Sequence, residues 1–244
     1  MQGDQFDAVM NYPFSRAVLG FCGARTLLKG ARQGSYPLIP MTAESFARHI
    51  DEIHSWYDWQ VTYAQLNLLD SHDTARALWL MGEDQSALRL CVLCQMTMPG
   101  APCIYYGDEI GMSAAQDPFC HAAFPWQDPS QWDHDLLAFY RRAIALRHHT
   151  PALRTGTFQH LHARDGGYAF ARTLPGQCAV VIVNTQTRAA TFDVDVSGLA
   201  AAETIFEGVW NQGRYAITQQ RLHGVTIPAR EAVVLVRVED GAVR

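Results

Sequence analysis

The stretch "NLLDSHDTAR" (67–76) runs an apolar pair into Asp70, Ser71, His72 and Asp73, and "APCIYYGDE" (101–109) ends a second apolar run on Gly107, Asp108 and Glu109. Carboxylates beside an imidazole are groups that accept hydrogen bonds and exchange protons, and their position admits two readings. Where strands run parallel, loops converge at the carboxyl ends while the strand bodies pack, so polar groups placed there can border a pocket. The alternative for His72 and Asp73 is an exposed turn whose carboxylate caps the following helix through backbone N–H groups. Spacing alone leaves both readings open.

The elements that must position these residues alternate between strand and helix. "FDAVMNY" (6–12) is a strand candidate, and a helical stretch follows it toward the Gly and Pro residues at 30–40. "TAESFARHIDEIHSWY" opens on Thr42, a suitable N-cap, and sets Phe46, Ile50, Ile53 and Tyr57 on one helical face. "AQLNLLD" (64–70) and "APCIYYGDE" are the next strands, separated by a helical run from Asp84 to Met98 that stops at Pro99-Gly100. "QWDHDLLAFYRRAIALRHH" is a last helix, ending before Pro151. From 156 onward the segments are short and alternate or run apolar, with Asp165-Gly166-Gly167 as a hairpin turn. The change of period divides the chain into an α/β domain, 1–152, and an all-β domain, 153–244, expected to be an antiparallel β-sandwich.

With 244 residues, 48% of them hydrophobic, the chain can bury a full core. Nineteen Lys and Arg against 24 Asp and Glu leave a net charge of −5, so no basic stripe favours nucleic acid or an anionic membrane. There is no membrane-length apolar run, and the N-terminus lacks the pattern of a signal peptide, so the chain is expected to be cytoplasmic. Cys22, Cys91, Cys94, Cys103, Cys120 and Cys178 are scattered in mostly apolar surroundings, as reduced core thiols would be. Cys91 and Cys94 form a CxxC without a second pair or nearby His residues, which favours core packing over a metal or redox site. No Gly-rich phosphate loop follows any strand.

Three stretches in order, "FDAVMNYP" (6–13), "DSHDTAR" (70–76) and "PGAPCIYYGDEIGM" (99–112), resemble the alpha-amylase superfamily of glycoside hydrolases, in particular its neopullulanase, cyclomaltodextrinase and maltogenic amylase branch. The resemblance spans nearly the whole chain. It implies strands six to eight of a (β/α)8 TIM barrel with their helices, followed by the antiparallel C-terminal domain. It further implies that His72 hydrogen-bonds the sugar at the cleavage subsite and that Asp73 is the third catalytic carboxylate, the transition-state stabiliser. A carboxylate fixed at a strand end can accept hydroxyl hydrogen bonds that shorten as positive charge develops on the ring, which favours the transition state over the ground state.

Asp117, in "QDPFCHAAFPW", falls where the family has an Asp binding a sugar one unit further from the cleavage point, four residues before an Arg. Here that position is His121, which cannot make a two-pronged guanidinium contact. The alternative for Asp117 is an Asp-Pro loop starter. Tyr12 and Trp126 are candidates to stack on sugar faces, as is Phe124, whereas Tyr105 and Tyr106 are expected to pack inside the barrel.

Retaining cleavage needs a nucleophilic carboxylate and an acid/base carboxyl about 5 Å apart. In the family both end earlier strands, the nucleophile in a Gly-x-Arg-x-Asp setting, and Asp73 fills neither role. Asp4, Asp7, Glu44, Asp51, Glu52, Asp58 and Asp70 precede Asp73, and none has an Arg two residues ahead at a strand end. Glu83, in "LWLMGED", follows the motif that the family's acid precedes and is read as a solvated helix-end charge.

The sequence therefore resembles a truncated, C-terminal portion of an enzyme acting on α-1,4-glucans or cyclodextrins. Alone it is expected to be inactive, because nucleophile and acid/base are absent. The alternative is a non-catalytic carbohydrate-binding or oligomerising remnant. Expected partners are an α-glucan or maltooligosaccharide, and a second copy or a complementing barrel fragment to cover open strand edges. No cofactor or metal is expected.

Overall fold

A computed structural model describes residues 6–200 and 204–237. The elements, in chain order, begin with α1 (Tyr12–Cys22), β1 (Arg32–Gln33), β2 (Tyr36–Pro37), α2 (Ala43–Ser55), α3 (Trp59–Ala64), β3 (Leu66–Asn67), α4 (Ala77–Leu80), α5 (Gln85–Thr97) and β4 (Ala101–Pro102). They continue with α6 (His134–His149), α7 (Pro151–Thr155), β5 (Thr157–Arg164), β6 (Gly167–Leu174), β7 (Gln177–Asn184), β8 (Ala190–Asp195), β9 (Ile205–Trp210), β10 (Arg214–Thr218), β11 (Arg221–Ile227) and β12 (Glu231–Arg237). Two compact units result, one of residues up to 96 with 100–145, the other of 97–99 with 146 onward, so the division falls inside α6.

In the first unit the three expected strands are parallel and adjacent in chain order, but far shorter than their apolar runs. Met10 bridges Leu66, Leu66 pairs with Ala101, and Asn67 with Pro102. The strand expected over 6–12 is cut off by helix: Asn11 caps α1, its Oδ1 accepting from the Phe14 N–H at 3.2 Å, and Pro13 suits the first turn. The run 64–70 likewise starts inside a short helix, α3. Gly100, at φ +125, closes the approach to β4, and a Cβ there would lie 2.4 Å from the Asn67 amide nitrogen.

The helices follow their patterns more closely. Thr42 caps α2 through the Ser45 N–H at 3.2 Å, and Phe46, Ile50 and Ile53 are buried as their spacing requires, with Phe46 stacked on Phe21 of α1 at 4.5 Å. Tyr57 lies beyond the helix end. In α5, Cys91 and Cys94 are both free and fully buried, and Cys91 Sγ reaches the Val18 carbonyl at 3.7 Å. Among the described residues no helix is long and apolar enough to cross a membrane.

The second unit differs from the expected sandwich in its hydrogen bonding. Its eight strands form one antiparallel sheet in the order β5-β6-β7-β12-β9-β10-β11-β8. β10 is the reason: residues 214–216 pair with β9, whereas Ile217 and Thr218 pair with β11, so one strand passes from one leaf to the other. The leaves still enclose a common core. Ala169, Val180 and Ile182 from one side cluster with Phe192, Val194 and Leu222 from the other, and His162 of β5 meets the Phe192 ring of β8 at 5.6 Å. The β5–β6 turn is the expected one, with Asp165 and Gly166 both at positive φ.

Candidate functional site

The chain leaves β3 through Leu68 and Leu69, both buried, and turns at Ser71–Thr74. The turn is fixed by its own hydroxyls. Thr74 Oγ1 accepts from the Ser71 N–H at 3.0 Å, and Ser71 Oγ from the Asp73 N–H at 3.1 Å. Ser71 and Thr74 thus face inward, and His72 and Asp73 project out with side chains 67% and 66% exposed. This decides between the two readings of the acid: the carboxylate that serves the following helix is Asp70, whose Oδ2 accepts from the Ala77 N–H of α4 at 2.6 Å. Asp73 is left open to solvent.

Its neighbours come from separate elements. Tyr12, at the start of α1, lies with its hydroxyl 2.9 Å from Ser71 Oγ and donates to Asp73 Oδ2 at 3.4 Å. His72 Nε2 stands 3.3 Å from Asp73 Oδ1. From the loop after β4, His121 Nε2 donates to the His72 carbonyl at 2.8 Å and lies 3.6 Å from Asp117 Oδ1. The histidine that replaces the family's Arg thus ties Asp117 to the His72 backbone. Trp126, 69% exposed, packs instead with Phe124 at 4.2 Å and Trp132 at 6.3 Å. Tyr12, His72, Asp73 and Asp117 are brought together by these contacts, and Trp126 belongs to a neighbouring aromatic cluster.

Beneath the turn lies a buried network. Arg76, 1% exposed, pairs with Asp108 Oδ1 at 3.0 Å and donates to the carbonyls of Tyr106 at 2.8 Å and Cys120 at 3.2 Å. Its guanidinium also lies 4.6 Å from the Tyr105 ring centroid and 5.0 Å from that of Tyr106, so both rings border a cation, and Tyr106, 39% exposed, is not packed inside as the sequence suggested. Asp108 is placed by Gly107, whose φ of +89 and whose approach to Met112 exclude a side chain.

Burial raises the pKa of both Asp70 and Asp108, that of Asp108 well above the usual carboxylate range because the Asp70 charge adds to desolvation. Asp70 Oδ1 meets no donor among the described residues, and burial and the Asp70 charge raise the cost of ionising Asp108 while the Arg76 guanidinium lowers that of both acids.

A groove of about 380 Å³ opens beside Asp73, lined also by Tyr12, Arg16, Gln33, Tyr36 and Thr74. Arg16, Gln33, Tyr36 and Arg76 were not singled out from sequence. Arg76 stands inside the quoted motif. The available signal for the others was the Gly34-Ser35 pair, a two-residue hairpin turn that carries Gln33 and Tyr36 on its arms. Glu83 is exposed and accepts from the Ser113 hydroxyl. Among the described residues no group of three His, Cys, Asp or Glu side chains is placed to hold a metal ion.

Comparison with known proteins agrees with the motif order. Residues 1–128 match the alpha amylase catalytic domain model. A cyclomaltodextrinase from a Bacillus species is 40% identical over 75% of this chain and 31% of its own length. Neopullulanase 2 of Thermoactinomyces vulgaris is 38% identical over 76% and 30%. The native structure of the Nostoc punctiforme debranching enzyme superposes with a TM-score of 0.86 at 35% identity, covering 96% of this chain and 48% of that one. The chain spans about a third of the length of these curated relatives. It belongs to the alpha-amylase family of glycoside hydrolases, on the branch of the cyclomaltodextrinases and neopullulanases, and corresponds to a C-terminal portion of such proteins.

Proposed function

We propose that this chain carries the sugar-holding side of an α-glucan-cleaving site, within the last three strand–helix units of a (β/α)8 barrel, and that the nucleophile and the acid/base lie outside these 244 residues. The observation that carries the reading is the position of Asp73, two-thirds exposed at the carboxyl end of a parallel strand and flanked by Tyr12 and His72. The Ala77 N–H of α4 is taken by Asp70, so the Asp73 carboxylate does not serve the following helix.

In this role Asp73 accepts hydrogen bonds from adjacent ring hydroxyls and strengthens them as the ring gains oxocarbenium character. His72 donates to the same sugar, and Tyr12 keeps one Asp73 oxygen oriented. Asp117 and His121 hold the neighbouring unit, with a single-pronged imidazole in place of a guanidinium fork. The substrate class is an α-1,4-glucan or a cyclodextrin, and cleavage is of the retaining type once the two further carboxylates are joined to this half.

Without those carboxylates, the covalent step and the proton transfer to the leaving oxygen have no supplier. A homogeneous sample of the chain incubated with maltotriose, followed by chromatography, is expected to release no glucose or maltose above the buffer control. Turnover that disappears in Asp73→Ala would contradict this reading.

A further inference from the structure

The groove beside Asp73 has a second wall, formed by the β1–β2 hairpin and the first turns of α1. Gln33, 2% exposed, donates from Nε2 to the Leu69 carbonyl at 3.0 Å and to Ser15 Oγ at 2.5 Å. Those bonds pin the hairpin to the same segment that delivers Asp70 to Asp73. Because Nε2 must face the carbonyl, Oε1 is fixed as well, and it is a buried acceptor with no donor among the described residues. Such an atom costs stability where it stands, so the side chain is held for its anchoring bonds from Nε2.

Tyr36, on the other arm, is 61% exposed, with the Arg16 guanidinium 4.6 Å from its ring centroid. One face of the phenol is covered by the cation and the ring is held in place, so stacking a ligand on the open face loses little side-chain freedom. Arg16 and Asp73 line the same groove with opposite charges. An anionic ligand would meet the Asp73 carboxylate and a cationic one the Arg16 guanidinium, so the pairing suits a neutral, hydroxyl-rich ligand. The groove volume lies within the range of small-ligand pockets.

We infer that Arg16 and Tyr36, on the wall that Gln33 anchors, form a sugar subsite adjoining Asp73, which takes one glucosyl unit of an α-glucan by stacking on Tyr36 and by hydroxyl hydrogen bonds to the Arg16 guanidinium. The subsite rests on the reading of Asp73 as part of a glucan site. It makes the hairpin a determinant of which glucan is held, with Tyr36 adding an aromatic face to that of Tyr12 in the same groove.

The test is a calorimetric titration of the full chain with maltotriose, comparing wild type with Tyr36→Ala, Tyr36→Phe, Arg16→Met and Asp73→Ala, each first checked for an unchanged thermal midpoint. Tyr36→Ala is expected to weaken binding about tenfold, and Arg16→Met several-fold, a tenfold loss being about 1.4 kcal/mol. Tyr36→Phe, which keeps the stacking face, is expected to stay within about twofold of wild type on the same scale. If Tyr36→Ala binds as wild type does while Asp73→Ala is weakened, the subsite is overturned and the Asp73 reading stands. If wild type takes up no maltotriose at millimolar concentration, both are overturned.

Discussion

Arg76 is the residue on which the loops of the site converge. Itself 1% exposed, it holds Asp108, the carbonyls of Tyr106 and Cys120, and two aromatic rings. Removing one partner of a buried ion pair costs about 3–5 kcal/mol, because the remaining charge is left uncompensated. Arg76→Met is therefore expected to lower the unfolding free energy by about that much, read by urea denaturation. The Asp70–Asp108 pair gives stability a definite pH dependence, with Arg76, the Tyr140 hydroxyl and the Cys120 thiol among the other titratable groups that interact with it. A carboxyl whose folded pKa is raised contributes stability that is fully present below the unfolded value of about 3.8 and is lost as pH rises through the folded value. Asp108→Asn keeps an acceptor for Arg76 and gains a donor for Asp70 without titrating. Urea midpoints of wild type are accordingly expected to fall, relative to those of Asp108→Asn, as pH rises above about 3.8. Parallel profiles would contradict a raised Asp108 pKa.

At the scale of elements, α1 is the piece whose placement matters most to the site, because its first residue supplies the Tyr12 hydroxyl. Its cap, Asn11, also donates from Nδ2 to Asn67 Oδ1 at 3.0 Å, so one buried amide registers the helix against β3. Asn11→Ala is expected to cost about 1–2 kcal/mol in thermal or urea unfolding, from the lost cap and the lost Asn11–Asn67 hydrogen bond. Thr42 at the head of α2, its Phe46, Ile50 and Ile53 face, and the Asp165-Gly166 turn were legible in the sequence because each is a local rule expressed in local residues. Strand extent was not. Apolar runs over 6–12, 64–70 and 101–109 indicate burial, but a ladder needs a neighbour at the right height, and here only one- to two-residue contacts find one. β10 and β11 also escaped notice, since the turn between them is Gln219-Gln220, both at positive φ, without the Asn or Gly that announces such a turn. In the site, His72, Asp73 and Asp117 were singled out by resemblance to family motifs and Tyr12 as an aromatic near the strand ends, and the contacts around the Ser71–Thr74 turn bring the four side chains together. The choice of Asp70 over Asp73 as the helix cap was not legible, because both acids stand at plausible distances along the chain and only the Ser71–Thr74 turn separates their directions.

At the scale of the whole molecule, the parallel ladder of the first unit leaves apolar side chains at its Met10 edge. Phe6 is 78% exposed, Val9 40%, Met10 37% and Leu66 38%. An open parallel edge with apolar flanks favours association, since backbone groups and hydrophobic surface are both left to solvent. The chain is expected to self-associate at micromolar concentration in sedimentation velocity, and a clean monomer would count against that expectation. The claim on which the functional reading depends is narrower: that the exposed Asp73 carboxylate is a sugar-holding group. Calorimetric titration with acarbose of wild type against Asp73→Ala, a substitution at an exposed position that leaves the turn hydroxyls in place, tests it directly. Binding by wild type that falls at least about tenfold in the variant, about 1.4 kcal/mol, is the predicted result. Equal affinity of the two proteins for acarbose would contradict it.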